Sequence, residues 1–380
     1  MVFSSKLPSV GTSIFTVMSG LAREHNAINL SQGFPDFNCD PKLLDLTYKY
    51  TTEGFNQYAP MQVAVALREQ IALLMQNCYG AVYNPDTEIT ITAGATQGIF
   101  TAIAAFIQKG DEVIIFEPAY DSYTPAVEVN GGIVKPIALD YPGFTINWNM
   151  VKNTITDKTR MILINTPHNP SGTTLSENDL QELEKLVTGT NIIVVSDEVY
   201  EHMVFDGKAH QSVARFKSLA SQSLIVSSFG KTIHATGWKI GYVAAQKELM
   251  AEFRKVHQFL VFCVNHPFQM ALAGYLKDES VYKDLHVFYQ TKRDYFRKLI
   301  TGSRFTIEPC TGTYFHLLSY KRITDEKDTD YAIRLTKEKG LATIPLSVFS
   351  SHQPQQQLLR FCFAKKEETL EKAAEIICTL

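Results

Sequence analysis

Leu224-Ile225-Val226-Ser227-Ser228-Phe229-Gly230-Lys231, with Thr236-Gly237-Trp238-Lys239 close behind, is the stretch on which the reading of this chain turns. The run Leu224–Ser228 reads as an apolar strand. Glycine and small hydroxyls then bring Lys231 to the strand end on a tight turn. A lysine so placed can form a Schiff base with an aldehyde. The hydroxyls, the second cation Lys239 and exposed backbone N–H groups suit a phosphate. An aldehyde that also carries a phosphate is pyridoxal 5'-phosphate (PLP). A Ser-x-x-Lys tetrapeptide alone is more often a surface turn, so the argument rests on what accompanies it.

Composition narrows the field. The 380 residues are 45% hydrophobic and 20% charged, an ordinary globular balance. Lys plus Arg number 36 and Asp plus Glu 39, a net charge of −3, so neither nucleic acid nor a membrane surface is an expected partner. The six cysteines are scattered, with no C-x-x-C pair, and read as small buried hydrophobes in a reducing compartment. No metal site is expected. The start, Met1-Val2-Phe3-Ser4-Ser5-Lys6-Leu7-Pro8, has no basic region leading into a long apolar one. No apolar run approaches the ~20 residues of a membrane span. The expectation is a cytoplasmic chain.

From Glu88 onward strands and helices alternate. Ile89–Thr92 reads as a strand, and Ala93-Gly94-Ala95-Thr96 as a turn into a helix over Gln97–Ile107. Such a turn presents free N–H groups and the positive end of the helix dipole, a ready anion site. Asp111–Phe116 is a strand with Tyr120 just past its carboxyl end, where ligands of open α/β sheets bind. Met161–Ile164 runs into the dense loop Asn165-Thr166-Pro167-His168-Asn169-Pro170-Ser171-Gly172. Ser176 is a helix N-cap candidate, with Asp179 where a capping box would carry Glu. Asn191–Ser196 is a strand ending in Asp197-Glu198-Val199-Tyr200, and a further strand covers 239–245. This alternation predicts an α/β fold with a mainly parallel sheet covered on both faces. Strands at 313–318 and 358–363 with helices at 329–338 and 366–378 predict a smaller α+β domain. The expected division is 46–285 for the large domain, with 1–45 and 286–380 forming the small one.

Taken singly, Asp197 reads as a helix cap, Tyr120 and Tyr200 as core aromatics, Tyr58 as loop packing and Arg360 as a surface ion pair. Their order is more telling: Tyr58, Gly94-Ala95-Thr96, Tyr120, Asn169-Pro170-x-Gly172, Asp197-x-x-Tyr200, Ser228-x-x-Lys231, Lys239, Arg360. That series resembles the class I and II aminotransferases, PLP-dependent enzymes of fold type I, over about residues 12–378. The stretches Leu30-Ser31-Gln32-Gly33-Phe34-Pro35-Asp36, Asn56-Gln57-Tyr58-Ala59-Pro60 and Cys362-Phe363-Ala364-Lys365-Lys366 are like the methionine, kynurenine and glutamine subgroup.

The resemblance implies a seven-stranded, mainly parallel sheet and a role for each residue. Lys231 would hold PLP as a Schiff base and, once released, carry the proton between substrate Cα and cofactor. Asp197 would keep the pyridine nitrogen protonated, making the ring an electron sink. Asn169 and Tyr200 would bind the phenolic oxygen, and Tyr120 would stack on the ring. Ala95 and Thr96 N–H groups, the Ser228 hydroxyl and Lys239 would hold the phosphate. Lys239 departs from the arginine of some relatives and supplies the charge without the fork. Arg360 would bind the substrate carboxylate, with Gly33 lining the same end. Tyr58 would reach the phosphate of a neighbouring subunit, implying a homodimer.

A second arginine suited to a dicarboxylate substrate has no matching segment. The side-chain pocket candidates are Ile14, Phe15, Phe34, Tyr58 and Val264. Apolar pockets separate one methylene by only about 1–3 kcal/mol, so relaxed use of methionine and aromatic amino acids over aspartate is expected. The alternatives are a kynurenine or glutamine type of aminotransferase, or a C–S β-lyase using the same lysine and PLP. A PLP-binding regulator would add a basic DNA-binding segment, and the sequence offers no basic patch.

Overall fold

Seven strands lie side by side in the order Ile89–Thr92, Gly241–Ala245, Ser223–Ser228, Ile193–Asp197, Thr159–Asn165, Glu112–Glu117, Ile133–Ala138. Gly241–Ala245 runs antiparallel to both neighbours, and the other adjacent pairs are parallel. The carboxyl ends of the other six therefore reach one edge of the sheet. The computed structural model describes residues 4–59 and 64–380. Pro60 of the Asn56–Pro60 loop and Met1-Val2-Phe3 of the chain start lie outside the described residues.

The strands are apolar on both faces because both faces are covered. Side chains alternate across the sheet, so Val113 and Ile115 join one core while Ile114 and Phe116 join the other. The first core includes Ile99, Ala102 and Ile103 of helix Ala95–Phe106 and Met250 and Phe253 of Lys247–Leu260. The second includes Leu67, Ile71 and Leu74 of Val65–Tyr79 and Leu180 and Leu183 of Glu177–Val187. Each fully buried Val, Ile or Leu contributes about 1.5–3 kcal/mol relative to exposure.

A second, antiparallel sheet has the order Ile344–Pro345, Leu358–Cys362, Phe315–Ser319, Thr306–Ile307. Strand Ile28–Asn29 pairs in parallel with Leu341–Ala342, and helix Ile14–Glu24 packs on helix Asp328–Lys339. Among the described residues no helix is long and apolar enough to cross a membrane.

Several local expectations change. The helix after Ile89–Thr92 starts at Ala95, two residues earlier than its sequence suggests. Gly94 adopts φ +77°, which turns the chain in one step and lets helix geometry begin at once. Lys231 sits in the one-turn helix Phe229–Thr232, not on a glycine turn. Gly230 is needed for closeness instead: a Cβ there would lie 2.9 Å from the Thr236 Cα. The strand expected from Lys239 starts at Gly241, because Lys239 takes the left-handed conformation at φ +53°. Asp179 does complete a capping box, accepting from the Ser176 N–H at 2.7 Å while its own N–H donates to Ser176 Oγ at 3.2 Å.

Candidate active site

A cavity of 340 Å³ opens at the shared carboxyl edge of the large sheet. At one end stand Ala95, Thr96, Ser228 and Lys239. Tyr120, Asn169, Asp197, Tyr200, Lys231, Gly33, Arg360 and Phe15 also line the cavity. Of the residues expected to hold the cofactor or the substrate carboxylate, the structure gathers all but Tyr58, and of the side-chain pocket candidates it brings in only Phe15. Tyr58 does not line this cavity within its own chain. It stands 82% exposed by a separate hollow shared with Val264 and His266. Ile14 and Phe34 also fall outside the cavity; the Phe34 ring lies 5.0 Å from Lys365 Nζ.

The anion end follows from backbone geometry. Helix Ala95–Phe106 has Gly94 as N-cap and no side chain bonded to its first N–H groups. A Cβ on Gly94 would stand 3.4 Å from Lys239 Nζ. The missing side chain keeps the helix start and that ammonium facing one space, a cradle for a phosphate.

Asp197 ends the strand Ile193–Asp197 and is almost fully buried. Burial pushes its carboxyl up to about 6, against the hydrogen bond from Tyr123 and the nearby Lys231, both of which favour the anion. Tyr123 Oη donates to Asp197 Oδ2, and Val199 N–H to Oδ1 at 3.3 Å. A buried carboxylate of this kind gains from a cation placed against it.

Lys231 Nζ donates to the Tyr314 hydroxyl at 2.7 Å and the Gly33 carbonyl at 3.1 Å. It lies over the Tyr200 and Tyr314 rings, 5.5 and 5.3 Å from their centroids. Burial lowers its pKa to about 8, with Arg360 and Lys239 adding repulsion. An amine so tuned exchanges a proton near neutral pH.

Arg360 is buried from strand Leu358–Cys362. Its Nη1 donates to Asn169 Oδ1 at 2.8 Å and its Nη2 to the Ser31 carbonyl at 2.9 Å. The Phe315 ring centroid lies 3.9 Å from its Cζ, and Phe15 and Phe349 lie at 5.3 Å. Nε is buried with no hydrogen-bond partner among the described residues. Burial lowers this guanidinium to about 10, still cationic at neutral pH. A fixed, under-satisfied guanidinium is suited to a carboxylate.

Sequence reasoning missed Tyr123, Asn165, Gln32 and Tyr314. Tyr123 follows Tyr120 by one turn, and nothing in its neighbourhood marks it. Asn165 closes strand Thr159–Asn165 and holds the Asn169 N–H through Oδ1 at 2.8 Å. Gln32 Nε2 donates to the Phe15 carbonyl at 2.9 Å, tying helix Ile14–Glu24 to the glycine loop.

The family model for "Aminotransferase class I and II" matches residues 25–377. This chain belongs to the class I and II aminotransferases. Enzymes of that family and fold depend on PLP. The chain is 47% identical over 376 residues to the methionine aminotransferase of Escherichia coli, covering 99% of this chain and 97% of that one. A solved structure of that function from Escherichia coli superposes with a TM-score of 0.98 over all of both chains. A probable N-succinyldiaminopimelate aminotransferase of Mycobacterium tuberculosis is 34% identical over 388 residues, 99% of this chain and 98% of that one. Human kynurenine–oxoglutarate transaminase 1 is 30% identical over 394 residues, covering 93% of this chain and 92% of that one. As an aminotransferase, the chain moves amino groups between small molecules, and its fold is the mainly parallel α/β fold expected.

Proposed function

We propose that this aminotransferase uses PLP held through Lys231 to move the amino group of methionine, or another apolar or aromatic amino acid, to a 2-oxo acid. The observation that carries this is one cavity holding a pKa-lowered lysine, a buried carboxylate, a fixed guanidinium and an uncapped helix start beside a second lysine. The residues fit PLP, since the cradle at Gly94 suits its phosphate and the buried Asp197 suits its ring nitrogen. When bound, PLP supplies an aldehyde that condenses with amines and a cationic ring that withdraws electrons from the substrate Cα.

The chain's own residues do the rest. Ala95, Thr96, Ser228 and Lys239 would anchor the phosphate. Asp197, braced by Tyr123, would hold the ring nitrogen. Tyr120 would cover the ring, and Tyr200 and Asn169 would donate to the phenolic oxygen, Asn169 through Nδ2 because Oδ1 already serves Arg360. Arg360 clamps the substrate carboxylate beside Gly33. Lys231, once its amine is free, would take the proton from the substrate Cα and deliver it to the cofactor.

Phe15 is the apolar side chain expected to meet the substrate side chain, since it lines the cavity and its ring lies 5.3 Å from Arg360 Cζ. The methionine aminotransferase of Escherichia coli, alike over its whole length, supports methionine as donor. We further propose a cytoplasmic homodimer, with 46–285 as the cofactor-holding domain and 1–45 plus 286–380 as the second. Tyr58 would reach the neighbour's phosphate. The exposed Tyr58 and Phe259, and Phe262 packed against Tyr58, support a face that a second copy covers.

The test is a panel of amino donors against several 2-oxo acids, followed by the loss of yellow PLP absorbance. Methionine and aromatic amino acids should bleach it well ahead of aspartate. Aspartate turned over roughly tenfold faster than methionine would reject the apolar pocket, since an apolar wall gives a second carboxylate nothing to pair with.

A further inference from the structure

We propose that Tyr314 is a positioning residue for Lys231: its hydroxyl holds the ε-amine whenever that amine is not covalently engaged, and ties it to the loop at Gly33. The proposal rests on the reading of Lys231 given above and adds a residue to it.

Three groups form a closed triangle. Lys231 Nζ donates to Tyr314 Oη at 2.7 Å and to the Gly33 carbonyl at 3.1 Å, and Tyr314 Oη donates to the same carbonyl. The phenol has one proton, and it goes to Gly33, so its oxygen is left to accept from the amine. Burial keeps the phenol protonated well beyond neutral pH, so this direction does not reverse in the working range. A lysine side chain has four rotatable bonds and a strongly hydrated head. Released inside a cavity of 340 Å³, it would sample many positions. Two fixed acceptors confine it, which is how positioning contributes to rate.

Tyr314 is itself held. It is fully buried, with Phe315, Tyr200 and Tyr289 rings at 4.9, 5.2 and 5.6 Å. Its carbonyl accepts from Phe363 N–H at 3.0 Å. The residue before it, Thr313, has φ +65°, a strained conformation that β-branched residues rarely take. The turn persists because it is clamped: Thr313 N–H donates to Met203 O at 3.0 Å, and Gly312 N–H to Gly172 O at 2.9 Å. Strain kept in place by its surroundings, one residue from a contact to the reactive lysine, fits a functional constraint better than simple packing.

The test compares the wild type with Tyr314→Phe and Tyr289→Phe. The Tyr289 hydroxyl is buried in the same cluster with no hydrogen-bond partner among the described residues, so its loss controls for packing. In the cofactor-free protein, acetic anhydride labelling of Lys231 is followed against pH by peptide mass spectrometry. Removing an acceptor that favours the charged amine should move the labelling midpoint down by about half a unit to one unit in Tyr314→Phe. Tyr289→Phe should leave it in place. In the holoenzyme, Tyr314→Phe should lower kcat roughly tenfold or more, with KM for the amino donor within about threefold. KM is spared because the Gly33 loop is also held by Cys362 N–H on the Leu30 carbonyl at 2.8 Å and Lys365 on the Phe34 carbonyl at 2.8 Å. If Tyr314→Phe does not fold, 3-fluorotyrosine at position 314 keeps the shape, weakens the acceptor and should give a smaller shift in the same direction.

An unmoved midpoint in the folded variant, or an equal shift from Tyr289→Phe, would overturn the proposal. A wild type without transaminase activity would reject the function while leaving the labelling comparison readable.

Discussion

Asp197 illustrates how a single buried carboxyl ties stability to pH. Its carboxyl stands at about 6, above its ordinary 3.8, because burial disfavours the charge. Between about pH 4 and 6 the folded, cofactor-free chain therefore retains a proton that the unfolded chain has lost. Stability falls as pH rises through that window, and at neutral pH the cost is about 3 kcal/mol. Asp197→Asn should then melt higher than the wild type at pH 7 without cofactor and at the same temperature near pH 4, while transamination is lost. Melting curves at the two pH values check this, and parallel curves would contradict it. Arg360 makes the opposite kind of contribution. Arg360→Ala should raise KM for the amino donor roughly a hundredfold, the loss of a charge-assisted pair, with PLP affinity within about threefold. Substrate and cofactor titrations separate the two, and equal losses would place the arginine outside the carboxylate site.

Two sequence stretches that look unrelated prove to be one structural strap. The loop Leu30–Asp36 is fastened to the segment 360–369: Arg360 reaches the Ser31 carbonyl, Lys365 the Phe34 carbonyl, and Asp36 caps the C-terminal helix from outside it. Asp36 Oδ1 accepts from Lys366 N–H at 2.6 Å and Oδ2 from Thr369 Oγ1 at 2.7 Å. Asp36→Ala should cost about 1–2 kcal/mol, read from a denaturant midpoint, as for loss of a helix cap. Gly33→Ala should raise KM more than it lowers stability, because its Cβ would lie 2.7 Å from Phe315 Cζ and displace the loop from the substrate end. The strap was legible only as two motifs. Long apolar runs such as Glu112–Glu117 announce themselves by local pattern, whereas these bonds join residues some 330 positions apart. Tyr314 escaped notice for the same reason. It meets a lysine 83 positions earlier, through a turn whose left-handed threonine no local propensity favours. Ala95, Thr96, Asn169, Asp197 and Lys231 were readable because each stands at or just beyond the end of a strand, and those ends share one sheet edge.

The proposed assembly rests on what one chain leaves exposed. The cradle formed by Ala95, Thr96, Ser228 and Lys239 includes no residue from the Asn56–Ala59 loop, yet Tyr58 projects outward at 82% exposure with Phe259 at 86% nearby in sequence to Phe262, which its ring meets edge-on. Sedimentation should show a dimer, and Tyr58→Phe should weaken PLP affinity roughly tenfold, about one hydrogen bond to a charged group. A monomer with full affinity would contradict the shared site. All of these expectations presuppose that Lys231 is the residue bonded to the cofactor. Borohydride reduction of the purified holoprotein, followed by peptide mass mapping, examines that bond itself. The prediction is a pyridoxyl group on the peptide carrying Lys231, with irreversible loss of transamination; a cofactor fixed to another lysine, or to none, would contradict it.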